Sequence, residues 1–244
     1  MDYYLSVATF AALNVILAVG LNLISGFCGQ VSLGHAAFYG LGAYAAALCA
    51  IAGLPFGLSL LAGGLAAGAC GAVVAFAAVR VREDFLAIVT MGVGFLFLGA
   101  VRKQSWLGAE MGIANIPSPL DRWGYAARSI GIDVAGYKIT AFLLGTAAAG
   151  LAGGIYAHLT QLIVPDAFNF IESISILAMV AIGGLGSTLG VVAGAVLLTL
   201  MPELFRVVNE YKLLAYGGLL LFVMRVSPGG LAGLVRRLTG WELP

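Results

Sequence analysis

The chain has 244 residues, of which 61% are hydrophobic and only 9% are charged, against roughly 25% charged residues in an average soluble protein. Its 12 basic and 11 acidic residues nearly cancel, which excludes a basic surface able to neutralise a nucleic-acid backbone. The 35 glycines suit helices that pack closely in lipid. These numbers exclude an ordinary soluble domain. They predict an all-α polytopic membrane protein that contacts lipid and binds no nucleic acid.

Charge placement predicts the membrane-spanning runs in chain order. The 77 positions between Asp2 and Arg80 hold no charged residue, which leaves room for three helices because one crossing needs about 20 apolar residues. A fourth run follows, then a polar stretch at 102–138, then three more runs. We therefore expect six to eight transmembrane or re-entrant helices in a single domain, residues 1–244. The predicted runs are 5–24, 33–52, 58–79, 85–101, 139–164, 173–201 and 213–226.

The distribution of basic residues predicts the orientation. The loop at 80–84 holds two arginines and the tail holds Arg225, Arg236 and Arg237, whereas residues 165–172 carry only acidic charges. The positive-inside rule places the first two in the cytoplasm and the third outside. The N-terminus is then outside and the C-terminus cytoplasmic.

Counting crossings from these anchors gives two inconsistencies, and the first lies in the run at 173–201. A single helix there would carry the basic tail to the outside. The glycine-rich cluster at 183–187 could instead break the run into two half-helices that enter and leave by one face. The alternative is a continuous tilted helix whose glycines only allow close packing.

The second inconsistency lies between Val101 and Lys138, where an odd number of crossings is required. The only apolar stretch there, 106–120, is interrupted by Glu110, Pro117 and Pro119. Either this stretch crosses in an irregular form or the chain lacks a segment.

Several stretches resemble permease subunits of branched-chain amino-acid ABC importers, the LivH and LivM families. Residues 20–45 read GLNLISGFCGQVSLGHAAFYGLGAYA, which is similar to the N-terminal signature of both families. The segments EDFLAIVTMGV at 83–93 and GIANIP at 112–117 resemble the LivM type more than the LivH type. The C-terminal half completes the resemblance. Its matching stretch runs from YKITAFLLGTAAAGLAGGIYAHL at 137–159 through MVAIGGLGSTLGVVAGA at 179–195, and the closing motif is SPGGLAG at 227–233.

This resemblance implies a transport subunit rather than an enzyme. Such a permease belongs to a binding-protein-dependent importer of the bacterial inner membrane that carries leucine, isoleucine, valine or related small polar solutes such as urea and amides. It implies a second, LivH-like permease, two cytoplasmic ATPases and an external substrate-binding protein as partners. No cofactor is expected in this chain, because none of its three lysines follows glycine as a Walker loop requires. ATP would be hydrolysed by the partner subunits.

The middle of the chain departs from the family. Relatives carry a further helix between the external GlyIle…IlePro element and the cytoplasmic loop, so the connection at 102–138 is shortened. Its Ala126, Ala127, Gly131 and Ile132 match the later part of the family's ATPase-docking loop, while the acidic part is missing. The alternative function is a shortened, non-coupling homologue with a structural role.

Two places in the sequence are candidates for the substrate path, because broken helices with small or polar groups line transport cavities. One is 29–34 with Ser32 and His35, and the other is 183–188 with Ser187 and Thr188. For His35 the alternative is a buried, hydrogen-bonded core histidine. No catalytic or metal-ligating pattern is present, and the three cysteines are interpreted as packing residues.

Glycines at a spacing of four predict close helix contacts. Gly186, Gly190 and Gly194 would share one face of a helix, either within this subunit or at the contact with a second permease. The pairs 64/68 and 150/154 show the same spacing.

Overall fold

The structure is a computed structural model that describes residues 2–78, 83–107, 109–114, 134–204, 218, 225 and 229–233. Within these ranges it is almost entirely helical, which confirms the predicted all-α polytopic class. The helices are α1 Asp2–Ser25, α2 His35–Ile51, α3 Phe56–Ala78, α4 Glu83–Lys103, α5 Val134–Thr160, α6 Phe170–Gly183 and α7 Thr188–Leu204. Short 3-10 helices span Ser105–Leu107, Ala109–Met111 and Pro165–Phe168, and two strands, β1 Ile113–Ala114 and β2 Leu162–Ile163, pair antiparallel.

Five stretches of the described chain are long and apolar enough to cross a membrane, and α2 and α7 are shorter apolar helices. The predicted boundaries of the first five runs lie within a few residues of α1 to α5. The predicted run at 173–201 is two helices, because α6 ends at Gly183 and α7 begins at Thr188. Apart from Gly218 and Arg225, the predicted helix at 213–226 lies outside the described residues, as does the basic tail at 236–237.

α5 is the centre of the bundle and packs against α1, α2 and α3. Glycines make these contacts close: Gly150 faces Gly42 of α2 and Gly63 of α3, and Gly145 faces Gly20 of α1. In each case a Cβ would run into backbone atoms of the neighbouring helix, so these glycines are needed for the backbones to meet.

α6 and α7 form an antiparallel hairpin. Gly183 lies against Gly190 and Val191, and Gly194, one turn further along α7, lies against Met179, one turn earlier along α6. The glycine cluster at 183–187 therefore breaks the run, as the crossing count required. The far end of α7 returns to the side on which α6 begins.

One end of the bundle is defined by Arg102 near the end of α4, and we call it the Arg102 end. The side chains of Arg102 and Asp166 form an ion pair there, and β1 pairs with β2 directly after α5. α3 begins at the same end, because the ring of Phe56 contacts that of His158 in the last turn of α5.

α4 and α5 both end at the Arg102 end. Since α5 has 27 residues, its first residue, Val134, lies about 40 Å from this end at the usual rise per residue. Ala114 of β1 and Val134 therefore lie at opposite ends of the bundle. The chain must pass from one end of the bundle to the other between these two residues, which is the odd number of crossings that the sequence required between Val101 and Lys138.

Candidate translocation path

The connection between α1 and α2 brings a helix start into the protein interior. His35, the first residue of α2, is fully buried. Its Nε2 lies 3.6 Å from where a Cβ would sit at Gly20, in the middle of α1. Gly34 precedes the helix and provides no side-chain cap. The first amides of α2 must therefore find partners on other elements, because buried N–H groups without an acceptor are costly.

A hydroxyl group from α6 supplies one of those partners, and one from α4 binds the chain just before the helix. The amide of Ala36 donates to Oγ of Ser173 at 3.0 Å, and the amide of Leu33 donates to Oγ1 of Thr90 at 3.0 Å. Ser173, Thr90 and Ala36 are buried at this junction, and Leu33 is half-buried. The start of α2 is thereby tied to two helices that lie far from it in sequence.

The tip of the α6–α7 hairpin lies against the end of α1. The amide of Gly186 donates to Oδ1 of Asn22 at 3.0 Å, and Gly186 also lies beside Gly26. The turn needs glycine, since Gly184 and Gly186 have φ of 109° and 86°. Ser187 then caps α7 by accepting the amide of Gly190 at 3.2 Å.

The interior contains polar atoms that have no partner. Among the described residues these are Nδ2 of Asn22, Oγ of Ser32, both ring nitrogens of His35 and Oη of Tyr44. Three of these four residues belong to the end of α1, the connection that follows and the first residue of α2. Because buried polar groups are normally hydrogen-bonded, such a cluster in a membrane bundle indicates a functional position.

A small cavity of about 10 Å³ lies next to this junction, between α2, α4 and the start of α6. It is mostly apolar, with the hydroxyl of Ser173 and the amide of Asn169 as its polar side chains. Asn169 caps α6 by accepting the amide of Glu172 at 3.0 Å. The cavity is lined by Leu33, Ala37, Met91, Gly94, Phe95, Leu98, Phe168, Asn169, Phe170 and Ser173.

The predicted path residues occupy two buried places. Ser32 and His35 are fully buried, Ser187 is buried in the hairpin turn, and Thr188 is partly buried at the start of α7. His35 lies beside Gly20 of α1, and the hairpin turn contacts α1 at Asn22 and Gly26, which the sequence analysis did not single out. The signal for Asn22 was present, because an amide side chain interrupts an apolar run without charges.

The predicted glycine face needs a correction. Gly190 and Gly194 belong to α7 and lie against α6 of the same chain, but Gly186 is not part of that helix. Its positive φ places it in the hairpin turn, where it bonds to α1 instead. Gly150 and Gly154 likewise contact α2 and α3 within the chain.

The predicted docking residues Ala126, Ala127, Gly131 and Ile132 lie outside the described residues. In the parts that are described, no group of three or more His, Cys, Asp or Glu side chains could hold a metal ion.

The chain matches a known family over most of its length. Residues 3–123 and 124–224 match the family described as branched-chain amino acid transport system, permease component. The chain belongs to this family. It is 31% identical to the high-affinity branched-chain amino acid transport system permease protein LivM of Escherichia coli K12, over 94% of this chain and 70% of the relative.

The LivM protein of Salmonella typhimurium LT2 gives the same values. Both alignments run over 297 residues although this chain has 244, so the relatives carry residues that it lacks. The two family segments meet between residues 123 and 124, inside the connection where a crossing is missing. No solved structure matches significantly.

Proposed function

We propose that this chain is the transmembrane permease subunit of a binding-protein-dependent ABC importer. It would carry leucine, isoleucine, valine or related small polar solutes across the bacterial inner membrane. Membership of the permease family and the likeness to two LivM proteins support the transport class. The substrate follows from the names of those relatives.

The observation that carries the proposal is a pair of helix breaks that both contact α1 inside the bundle. The ring of His35 at the start of α2 lies beside Gly20, and the α6–α7 turn bonds to Asn22, while Asn22, Ser32 and His35 keep unpartnered polar atoms. Transporters place solute paths at such breaks, because backbone and side-chain groups there can replace water around a polar solute. A purely structural bundle gains nothing from these unsatisfied groups.

The proposed assembly pairs this chain with a LivH-like permease, two cytoplasmic ATPases and an external binding protein. The partner ATPases hydrolyse ATP, and this chain needs no cofactor of its own. Residues 126–132 dock on an ATPase. The Arg102 end faces outward in this arrangement, which the acidic segment 165–172 together with Arg80 and Arg82 favours under the positive-inside rule.

Uptake by the reconstituted complex tests the proposal. Proteoliposomes holding this chain, its permease partner and the ATPases, supplied with binding protein and ATP, should accumulate radiolabelled leucine, isoleucine or valine. Ser32→Ala and His35→Gln should reduce uptake about tenfold or more, as expected when a polar contact to solute in a dry site is lost. Ser59→Ala is the matched control, because Ser59 is also fully buried but donates to the carbonyl of Leu54 at the start of α3. Absence of ATP-dependent uptake of every solute, urea and amides included, would contradict the proposal.

The break in the family match favours a second candidate, a shortened homologue that no longer couples to an ATPase. Changing Gly131 to Glu separates the two, because a charged side chain buried in a docking cleft would lose its hydration without gaining a partner. A coupling subunit should bind ATPase and stimulate hydrolysis, and Gly131→Glu should abolish the stimulation while membrane insertion stays normal. If no complex forms with either form of the chain, the structural role is the better description.

A further inference from the structure

The 3-10 helix Pro165–Phe168, which we call the 165–168 turn, lies between the Arg102 end and the interior cavity. The side chain of Asp166 is 74% exposed, whereas Phe168, two residues later, is 1% exposed. Phe168 is also part of the cavity wall, together with Ser173 and Leu33. The chain therefore passes from an exposed surface to the polar junction within a few residues.

Four aromatic rings from three helices surround the ring of Phe168. Centroid distances are 5.0 Å to Tyr39, 6.1 Å to Tyr44, 5.8 Å to Tyr156 and 6.5 Å to Phe97. Residue 40 must be small for this arrangement, because a Cβ on Gly40 would lie 2.7 Å from Cγ of Phe168. Tyr39 is one helical turn beyond His35, so Phe168 lies one turn nearer the Arg102 end than the buried histidine.

The outer contacts of the turn are weak by comparison. Asp166 pairs with Arg102 of α4, and both side chains are exposed, so this pair contributes little to stability. The adjoining β1–β2 pair is two residues long. Gln161, just before β2, has φ of 55°, a left-handed conformation that a residue with a side chain adopts at a cost.

We propose that Phe168 is the gating residue that closes the path from the Arg102 end, and that the Arg102–Asp166 pair holds the closed turn in place. This inference rests on the proposed transport function. Withdrawing the ring would leave a ring-sized opening lined by Tyr39, Tyr44 and Tyr156 above the cavity. The hydroxyls of these tyrosines suit the passage of a small polar solute.

The same movement would reach the start of α2. Asn169 follows Phe168 and caps α6, and Ser173 on the first turn of α6 accepts the amide of Ala36. Lifting the turn pulls on α6 and so weakens this hydrogen bond. Opening the gate and releasing an amide at the start of α2 are then one event, which presents a donor to the incoming solute.

Labelling tests the gate without relying on transport. Cys28, Cys49 and Cys70 are replaced, and Ser173→Cys reports access to the cavity by a membrane-impermeant methanethiosulfonate. The reagent is applied on the side where Met111→Cys reacts, because Met111 is exposed at the Arg102 end. Phe168→Ala should accelerate labelling at least tenfold, because loss of even one of its aromatic contacts, at about 1.4 kcal/mol, corresponds to a factor of ten. Phe10→Ala is the control, since Phe10 is exposed and its ring lies 6.3 Å from that of Tyr156, on the outer side of the bundle.

Charge reversal tests whether the Arg102–Asp166 pair holds the closed turn in place. Arg102→Glu should also speed labelling, by about two- to fivefold for an exposed pair, and adding Asp166→Arg should restore the slow rate. Equal rates in all these variants would overturn the gate, as would acceleration by Phe10→Ala as large as that by Phe168→Ala.

A crosslink then links the gate to uptake. Arg102→Cys with Asp166→Cys replaces the ion pair by two thiols that a crosslinker with two methanethiosulfonate groups can join while Phe168 stays in place. The crosslink should stop uptake and a reductant should restore it, while each single variant stays insensitive to the crosslinker. Undiminished uptake by the crosslinked chain would overturn the gate. Absence of uptake in the unmodified complex would instead overturn the transport proposal, and the labelling result would still decide the gate.

Discussion

Gly190 lies where the backbones of α6 and α7 come together. A Cβ at this position would meet the carbonyl oxygen of Gly183 and lie 2.9 Å from Cβ of Ala232. Neither neighbour is the end of a flexible side chain, so the conflict cannot be relieved by a change of rotamer. The close approach in the hairpin therefore depends on the absence of one methyl group.

Gly190→Leu should destabilise the folded protein by about 3 kcal/mol or more, because it forces two helices apart. Gly99→Leu is the matched control, since nothing lies within 4 Å of a Cβ at that exposed position of α4. Thermal unfolding in detergent, followed by size-exclusion chromatography, measures both. Similar melting temperatures for the two variants would remove the argument for a backbone contact.

Cys28 lies in the connection between α1 and α2, and burial raises the pKa of its thiol while the nearby Lys138 partly offsets this rise. The thiolate is the reactive form, so alkylation at neutral pH should be slower than that of an exposed cysteine. The rate should increase as the pH rises toward and beyond 9. Lys138→Gln should slow the reaction further, because it removes the charge that favours the thiolate. The alkylation rate of a chain whose only cysteine is Cys28, measured from pH 7 to 10 with and without Lys138→Gln, checks these expectations.

At the scale of elements, the α6–α7 hairpin depends on one amide side chain. The buried side chain of Asn22 accepts the amide of Gly186 through its Oδ1. Asn14 also reaches α7, but its partner Thr199 keeps a second hydrogen bond to Ala195. The two asparagines of α1 thus differ in what their removal leaves unpaired.

Asn22→Ala should destabilise the hairpin tip by about 1–3 kcal/mol, the cost of a buried donor without an acceptor. Asn14→Ala should cost about 1 kcal/mol or less, because Thr199 remains bonded. Hydrogen exchange at residues 184–190 reports the difference directly. Faster exchange in Asn14→Ala than in Asn22→Ala would contradict this ranking.

Helix positions and the hairpin break were predictable because each depends on local composition. Apolar runs bounded by charges located α1 to α5, and the cluster at 183–187 located the turn. The role of Asn22 was not predictable, because its partner lies 164 residues away. Phe168 was hidden for the same reason: one phenylalanine in a short acidic loop becomes a buried plug only when α2, α4 and α5 bring their rings around it.

At the scale of the whole molecule, the direction of each helix constrains the orientation. α4 begins at Glu83 and ends at the Arg102 end, and α5 also ends there. Ala114 and Val134 are consequently about 40 Å apart along the bundle axis. The 102–138 connection joins opposite faces, whichever face is cytoplasmic.

Single cysteines at Glu83 and Met111 should therefore react with an impermeant reagent from opposite sides of the membrane. The positive-inside rule further predicts that position 83 is cytoplasmic. Right-side-out and inverted vesicles of a cysteine-free background distinguish the two. Labelling of both positions from one side would refute the direction of α4.

The hydrogen bond between Asn22 and Gly186 also sets an order of events during synthesis. Asn22 enters the bilayer with the first helix, yet 164 residues separate it from its partner. At about 5–20 residues per second, the ribosome needs roughly 8–30 seconds to deliver Gly186. During that interval water, a lipid headgroup or the insertion machinery must bind the side-chain oxygen of Asn22. The first helix therefore reaches its final surroundings only after the last quarter of the chain has begun to emerge.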